Sequence, residues 1–246
     1  MPLNVINFAP LVESDGTVTL INRVLGTLQF GRAWYKEIQA QEIVISRLRK
    51  LLSDRFTLIR NFTLPDEEIS IPILLISGAG IWIITVTDAT GIFKTQGKEL
   101  LEMDNRTQEF APAQVNLVMR TLLLSRVFEE FLQKHKIPVP PIEPVLIFTD
   151  PGVDVTTGDG NIRVLLSDAL NRFVTGLLTT PARTEPGTSK RIVDLINETQ
   201  KKSKEEPEKS GGFKLNFTTT QWIVIGALVV ILALSVMLLI ALLLST

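Results

Sequence analysis

The stretch ISIPILLISGAGIWIITVT, residues 69–87, decides how this chain folds. Two runs rich in Ile, Leu, Val and Thr flank Gly78-Ala79-Gly80. Apolar runs of this length with glycine between them read as two buried strands joined in a hairpin. Upstream, Ile38, Ile45, Leu48 and Leu52 recur at helical spacing from Trp34 to Leu52, and Ser53-Asp54 ends the pattern. FTLIRNF (56–62) lies between that helix and the hairpin, followed by a turn-like LPDEE. Downstream, Thr90–Thr95 and Lys98–Met103 read as shorter strands at the edge of the sheet. A long helix follows from about Pro112 to Lys134, apolar around much of its circumference and therefore expected to pack on the sheet. EPVLIFTD (143–150) and IRVLL (162–166) read as further strands, TTGDGN (156–161) as a hairpin turn, and Ser167–Leu178 and Ser189–Gln200 as closing helices. This order predicts an α/β domain, a mixed sheet flanked by helices.

The two ends read differently. Within the first 34 residues, TVTLINRVLGTLQF is amphipathic at helical spacing yet is also compatible with a strand. Its expected role is to pack on the domain spanning 35–200. Residues 201–216, KKSKEEPEKSGGFKLN, form a charged linker unable to build a core. The segment 217–245 contains an uncharged run from Trp222 to Leu244. At about 23 residues, or roughly 34 Å of helix, it is long enough to cross a bilayer, which predicts one C-terminal transmembrane helix. Lysines 201, 202, 204, 209 and 214 all precede it, so the expected arrangement is a single-pass, tail-anchored membrane protein with a cytoplasmic domain. Its expected partners are the lipid bilayer and an unidentified protein.

Composition removes several classes of function. The 246 residues carry a formal net charge of −1, which gives no support to nucleic-acid binding. With no cysteine and one histidine, His135, there is no disulfide, thiolate zinc site or cysteine nucleophile, and no histidine-rich metal site.

The layout resembles the nuclease-related domain (NERD) family, a relative of restriction-endonuclease-like folds, over roughly residues 35–175. Gln41-Glu42 precedes Ile43, Val44 and Leu48 where the family has a Gly-Glu helix. The hairpin from Ile71 to Thr87 matches the family's two apolar strands and their Ser-x-x-Gly turn. Gly91, Ala111-Pro112-Ala113-Gln114 and Val145–Thr149 match later landmarks. The resemblance implies a divalent-metal nuclease built on two acids and a lysine. At those positions the chain has Pro72, Thr85 and Thr87, which supply neither carboxylate nor positive charge. Glu42 is the remnant candidate. It is either a surviving active-site acid or a structural carboxylate paired with an Arg or Lys. The expectation is a degenerate member without cofactor, serving as a binding or scaffolding module. The alternative is a Mg²⁺-dependent nuclease whose site is rebuilt from Glu42, Asp66, Glu67, Glu68, Asp88 or Lys94.

Overall fold

A computed structural model describes residues 2–13, 15–65, 69–158 and 160–205. The hairpin forms as expected. Strands β3 (Ser70–Ser77) and β4 (Gly80–Thr87) pair antiparallel, with Ser77 opposite Gly80. The Ser77 hydroxyl accepts from the Ala79 amide at 3.1 Å. Gly80 has φ +151°, and a Cβ there would lie 2.8 Å from the Pro141 carbonyl oxygen, so this corner requires glycine.

The hairpin forms the middle of a six-stranded mixed sheet. Its order is β1 (Asn4–Asn7), β2 (Thr57–Thr63), β3, β4, β8 (Ile142–Phe148), β10 (Arg163–Leu166). β2, β3 and β4 run antiparallel in turn; β1 on β2, β8 on β4 and β10 on β8 are parallel. Four helices cover the two faces. Side chains of α2 (Arg32–Leu51) and α4 (Leu170–Thr179) share one buried cluster with Leu58, Ile73, Leu75, Trp82, Ile84 and Val86. Side chains of α3 (Leu117–Lys134) and α5 (Thr188–Glu205) share another with Ile59, Phe62, Leu74, Ile76, Ile81 and Ile83. The chain is thus a mixed α/β protein with helices on both sides of its sheet, and both faces of the hairpin are buried, which explains its near-continuous apolar character.

Several expectations are corrected. The strands after β4 do not extend the main sheet. β5 (Ile92–Gln96) and β6 (Glu99–Met103) build a separate four-stranded sheet in the order β7-β6-β5-β9, with β7 (Phe110–Pro112) and β9 (Asp154–Thr156). The slot beside β4 belongs to β8, and Gly91, at φ +123°, turns the chain out of the main sheet. Residues 110–112 are strand rather than the start of the long helix. That helix begins at Leu117, where the Asn116 side chain accepts from the Met119 amide at 3.0 Å. TTGDGN is no hairpin, because β9 and β10 lie in different sheets. The last helix continues to Glu205, since KKSKE is favourable helical sequence that shortens the linker expected from 201.

The N-terminal region supplies two elements, the edge strand β1, for which the sequence reading had no expectation, and helix α1 (Leu20–Phe30), capped by Thr19. Ala9, Leu11, Val12 and Val18 pack with Trp34, Tyr35 and Ile38 of α2. Among the described residues no helix is long and apolar enough to cross a membrane. Trp222, Leu244 and the run between them lie outside the described residues.

Candidate functional site

Glu42 lies on α2 between Ile38 and Ile45, at the margin of the buried stripe. Its side chain is 28% exposed, and its Oε2 accepts from Arg60 Nη1 at 2.9 Å. Arg60 is fully buried in β2, a position where an apolar residue would be the default. Its other two nitrogens are also hydrogen-bonded: Nε donates to Gln41 Oε1 and Nη2 to the Ile38 carbonyl, each at 2.9 Å. One turn of α2 therefore cradles the guanidinium. Burial lowers the pKa of Arg60, and the adjacent Glu42 carboxylate acts in the opposite direction. The side chain remains a cation, as arginine does in proteins.

The N-terminal segment covers the same carboxylate. Gly16, buried and at φ +91°, lies so close that a Cβ built there would be 2.2 Å from Glu42 Oε2. A turn holds the glycine in place: its amide donates to the Glu13 carbonyl, and Glu13 N donates to the Thr17 carbonyl, each at 2.9 Å. Asp15 closes the loop by accepting from the Thr17 amide and hydroxyl at 2.9 and 2.7 Å, contacts that hold its pKa below the ordinary value.

The remaining side of Glu42 opens into a cleft of about 490 Å³ lined by Lys36, Gln39, Ile43, Ser46, Asp88 and Thr149, among others. It is a crevice where α2 meets the C-terminal ends of the parallel strands β4 and β8, a common location for binding sites in α/β sheets. Here two carboxylates, Glu42 and Asp88, share a space with Lys36 and with the ion pair to Arg60. Among the described residues, no group of three or more Asp, Glu or His side chains is placed to hold a metal ion. Asp66, Glu67 and Glu68 lie outside the described residues. Lys94 is on β5, in the other sheet.

The other resemblance positions do not converge on this cleft. In β4, Trp82, Ile84 and Val86 belong to the α2 side, so alternation directs Thr85 and Thr87 to the α3 side. Their register partners agree: Thr85 pairs with Leu146 and Thr87 with Phe148, and both partners pack with Val118 of α3. The Thr85 hydroxyl is buried and has no hydrogen-bond partner. The Thr87 hydroxyl accepts from the Ala89 amide at 3.1 Å. Pro72 is buried in β3 across from Asn61, a position skipped in the ladder, as a residue without an N–H allows. Asn61 takes φ +52° there, and the side chains on either side change faces. Phe62 and Ile71 join the α3-side cluster, whereas Leu58 and Ile73 face α2.

Sequence pattern singles out Glu42 and the type of its partner, but gives Arg60, Gly16, Lys36 and Thr149 no role in the site. Arg60 left a signal, a lone charge between Ile59 and Phe62 in an apolar strand. Gly16 left only an Asp-Gly pair.

No curated protein and no solved structure matches the chain significantly. One family model does match: residues 36–149, from the first turns of α2 to the residue after β8, match the nuclease-related domain. The match agrees with the landmarks along this α2-to-β8 segment and supports the nuclease-related domain family for it.

Proposed function

We propose that this chain is a membrane-anchored nuclease-related domain without catalytic activity, acting as a binding or scaffolding module. The observation that carries this reading is the state of Glu42: its charge is matched by a buried arginine and it is covered by Gly16. A metal-dependent nuclease needs uncompensated carboxylates to attract a hard cation and a cation near the phosphate. A guanidinium 2.9 Å from Glu42 opposes the first requirement, while Pro72, Thr85 and Thr87 fill the positions where the family has charged groups. The bilayer is one partner, through the Trp222–Leu244 segment; a protein is the other, and the net charge of −1 does not favour nucleic acid.

One observation favours the second reading, a Mg²⁺-dependent nuclease with a rearranged site: Glu42 and Asp88 line the same cleft. A cleavage assay separates the two. The full chain, in detergent or nanodiscs, is incubated with single- and double-stranded DNA and RNA in Mg²⁺ or Mn²⁺, beside Glu42→Gln and Asp88→Asn. The module reading expects no cleavage above background from any of them. Cleavage that needs metal and disappears in both variants would establish the nuclease instead.

A further inference from the structure

Helix α1 turns its apolar face away from the protein. Leu20, Ile21, Val24 and Leu28 are 81%, 73%, 55% and 71% exposed. At 3.6 residues per turn these four positions fall within an arc of about 100°. The opposite side carries Gly26, which is buried against Trp34 so closely that a Cβ there would lie 2.2 Å from the indole ring. A surface helix ordinarily buries its apolar stripe and exposes its polar side. Here the contact with the domain is made through Gly26, Phe30 stacked on Trp34 and Arg23 over Tyr35, and four large aliphatic side chains are left in water. Contiguous exposed apolar surface of this kind marks an interaction site.

We propose that this face of α1 inserts into the lipid interface and seats the domain against the bilayer to which its own C-terminal segment tethers it. The inference rests on the membrane-anchor reading above. Three observations favour lipid over a protein occupant. First, the same chain contains the uncharged run Trp222–Leu244. Second, roughly 16 residues lie between the end of α5 and that run, reaching at most about 58 Å when extended. A domain of about 200 residues has a radius of gyration near 17 Å, so the tether lets any of its faces reach the membrane. A tethered surface meets the bilayer at high effective concentration, and a weak second contact then becomes productive. Third, a cation borders the apolar arc: Arg23, exposed and lying over the Tyr35 ring at 4.1 Å, falls about 60° from Leu20 around the helix, as expected of a residue at a lipid interface.

The absence of cysteine makes the test direct, because a single introduced thiol labels uniquely. Full-length Leu28→Cys and, as reference, Gln96→Cys on the second sheet are labelled with an environment-sensitive fluorophore. Each is reconstituted in vesicles of phosphatidylcholine and phosphatidylserine with or without nitroxide-bearing lipid. The expected result is a blue-shifted Leu28→Cys probe that loses intensity to the lipid nitroxide, with an unquenched Gln96→Cys probe. Adding Val24→Asp should abolish the quenching at position 28. An unquenched Leu28→Cys probe in chains that float with the vesicles overturns this inference and leaves the anchor standing. Equal quenching at both positions, or insensitivity to Val24→Asp, also overturns it. A blue shift that grows with protein density but ignores the lipid nitroxide assigns the face to a second copy of the chain instead. Chains that fail to float through alkaline carbonate overturn the anchor, and this inference with it.

Discussion

The buried guanidinium of Arg60 donates to the Glu42 carboxylate at 2.9 Å, joining the central sheet to α2 at the margin of the open cleft. The pair is asymmetric: Arg60 is enclosed, whereas Glu42 keeps one side toward solvent. Arg60 therefore depends on the pair more than Glu42 does, because an enclosed cation without its acceptor has no water to replace it.

Removing either member should separate these roles. Glu42→Ala leaves the enclosed Arg60 cation with only neutral acceptors, Gln41 and the Ile38 carbonyl, and should cost about 3–5 kcal/mol. Arg60→Met keeps most of the buried volume and leaves Glu42 to solvent, so a smaller loss of about 1–2 kcal/mol, from the stranded Gln41 acceptor, is expected. Urea unfolding midpoints of the two variants against the parent chain measure the difference, and equal losses would contradict the asymmetry.

Gly16 and Gly31 form a matched comparison. Both have φ near +90°, but a Cβ at Gly31 meets nothing within 4 Å, whereas at Gly16 it strikes the Glu42 carboxylate. Gly31→Ala should cost about 1 kcal/mol from backbone strain alone. Gly16→Ala should also displace the turn around it, so hydrogen exchange at the Gly16 and Thr17 amides should speed up in that variant and remain unchanged in Gly31→Ala.

Thr85 sits where the family resemblance places an acid, yet its buried hydroxyl has no partner. An unsatisfied buried hydroxyl is a cost rather than a contribution. Thr85→Val should therefore raise stability by about 1 kcal/mol, read as an increase in thermal midpoint, without changing how the chain behaves in a cleavage assay. A loss of stability would mean that the hydroxyl has a partner in solution.

Acid should loosen the N-terminal turn. The Thr17 amide and hydroxyl hold the Asp15 carboxyl below its ordinary value of 3.8. A depressed folded pKa contributes stability in full above the unfolded value, and that contribution fades as pH falls through the folded one. The Thr17 amide should stay protected down to pH 4 and lose protection below it, while Asp15→Asn should flatten this dependence. Amide exchange followed by NMR across pH 5 to 2.5 checks the sign.

The elements nearest the hairpin were legible because their signals are local. Continuous apolar runs and glycine placement in residues 69–87 identify β3 and β4, and the Ile38–Leu52 spacing identifies α2. The family resemblance, not spacing, singled out Pro72, Thr85 and Thr87, whereas local signals marked Glu42 as an unusual carboxylate. They failed where pairing is a long-range choice. Nothing within residues 92–103 says whether those strands extend one sheet or start another; β9, more than fifty residues away, takes part in that outcome. The short edge strand β1 has too little pattern to stand out from the residues around it.

By itself, then, the sequence determined the order of its main elements, the uncharged C-terminal run and the absence of charge at Pro72, Thr85 and Thr87, because each depends on residue type and near-neighbour spacing. Only the tertiary structure decided that Arg60 occupies the core beneath Glu42, that Gly16 covers that carboxylate, that Thr85 faces away from it, and that the apolar face of α1 looks outward. Each of these sets a side chain against residues distant in the chain, and the packing of helices on a twisted sheet fixes which of them meet.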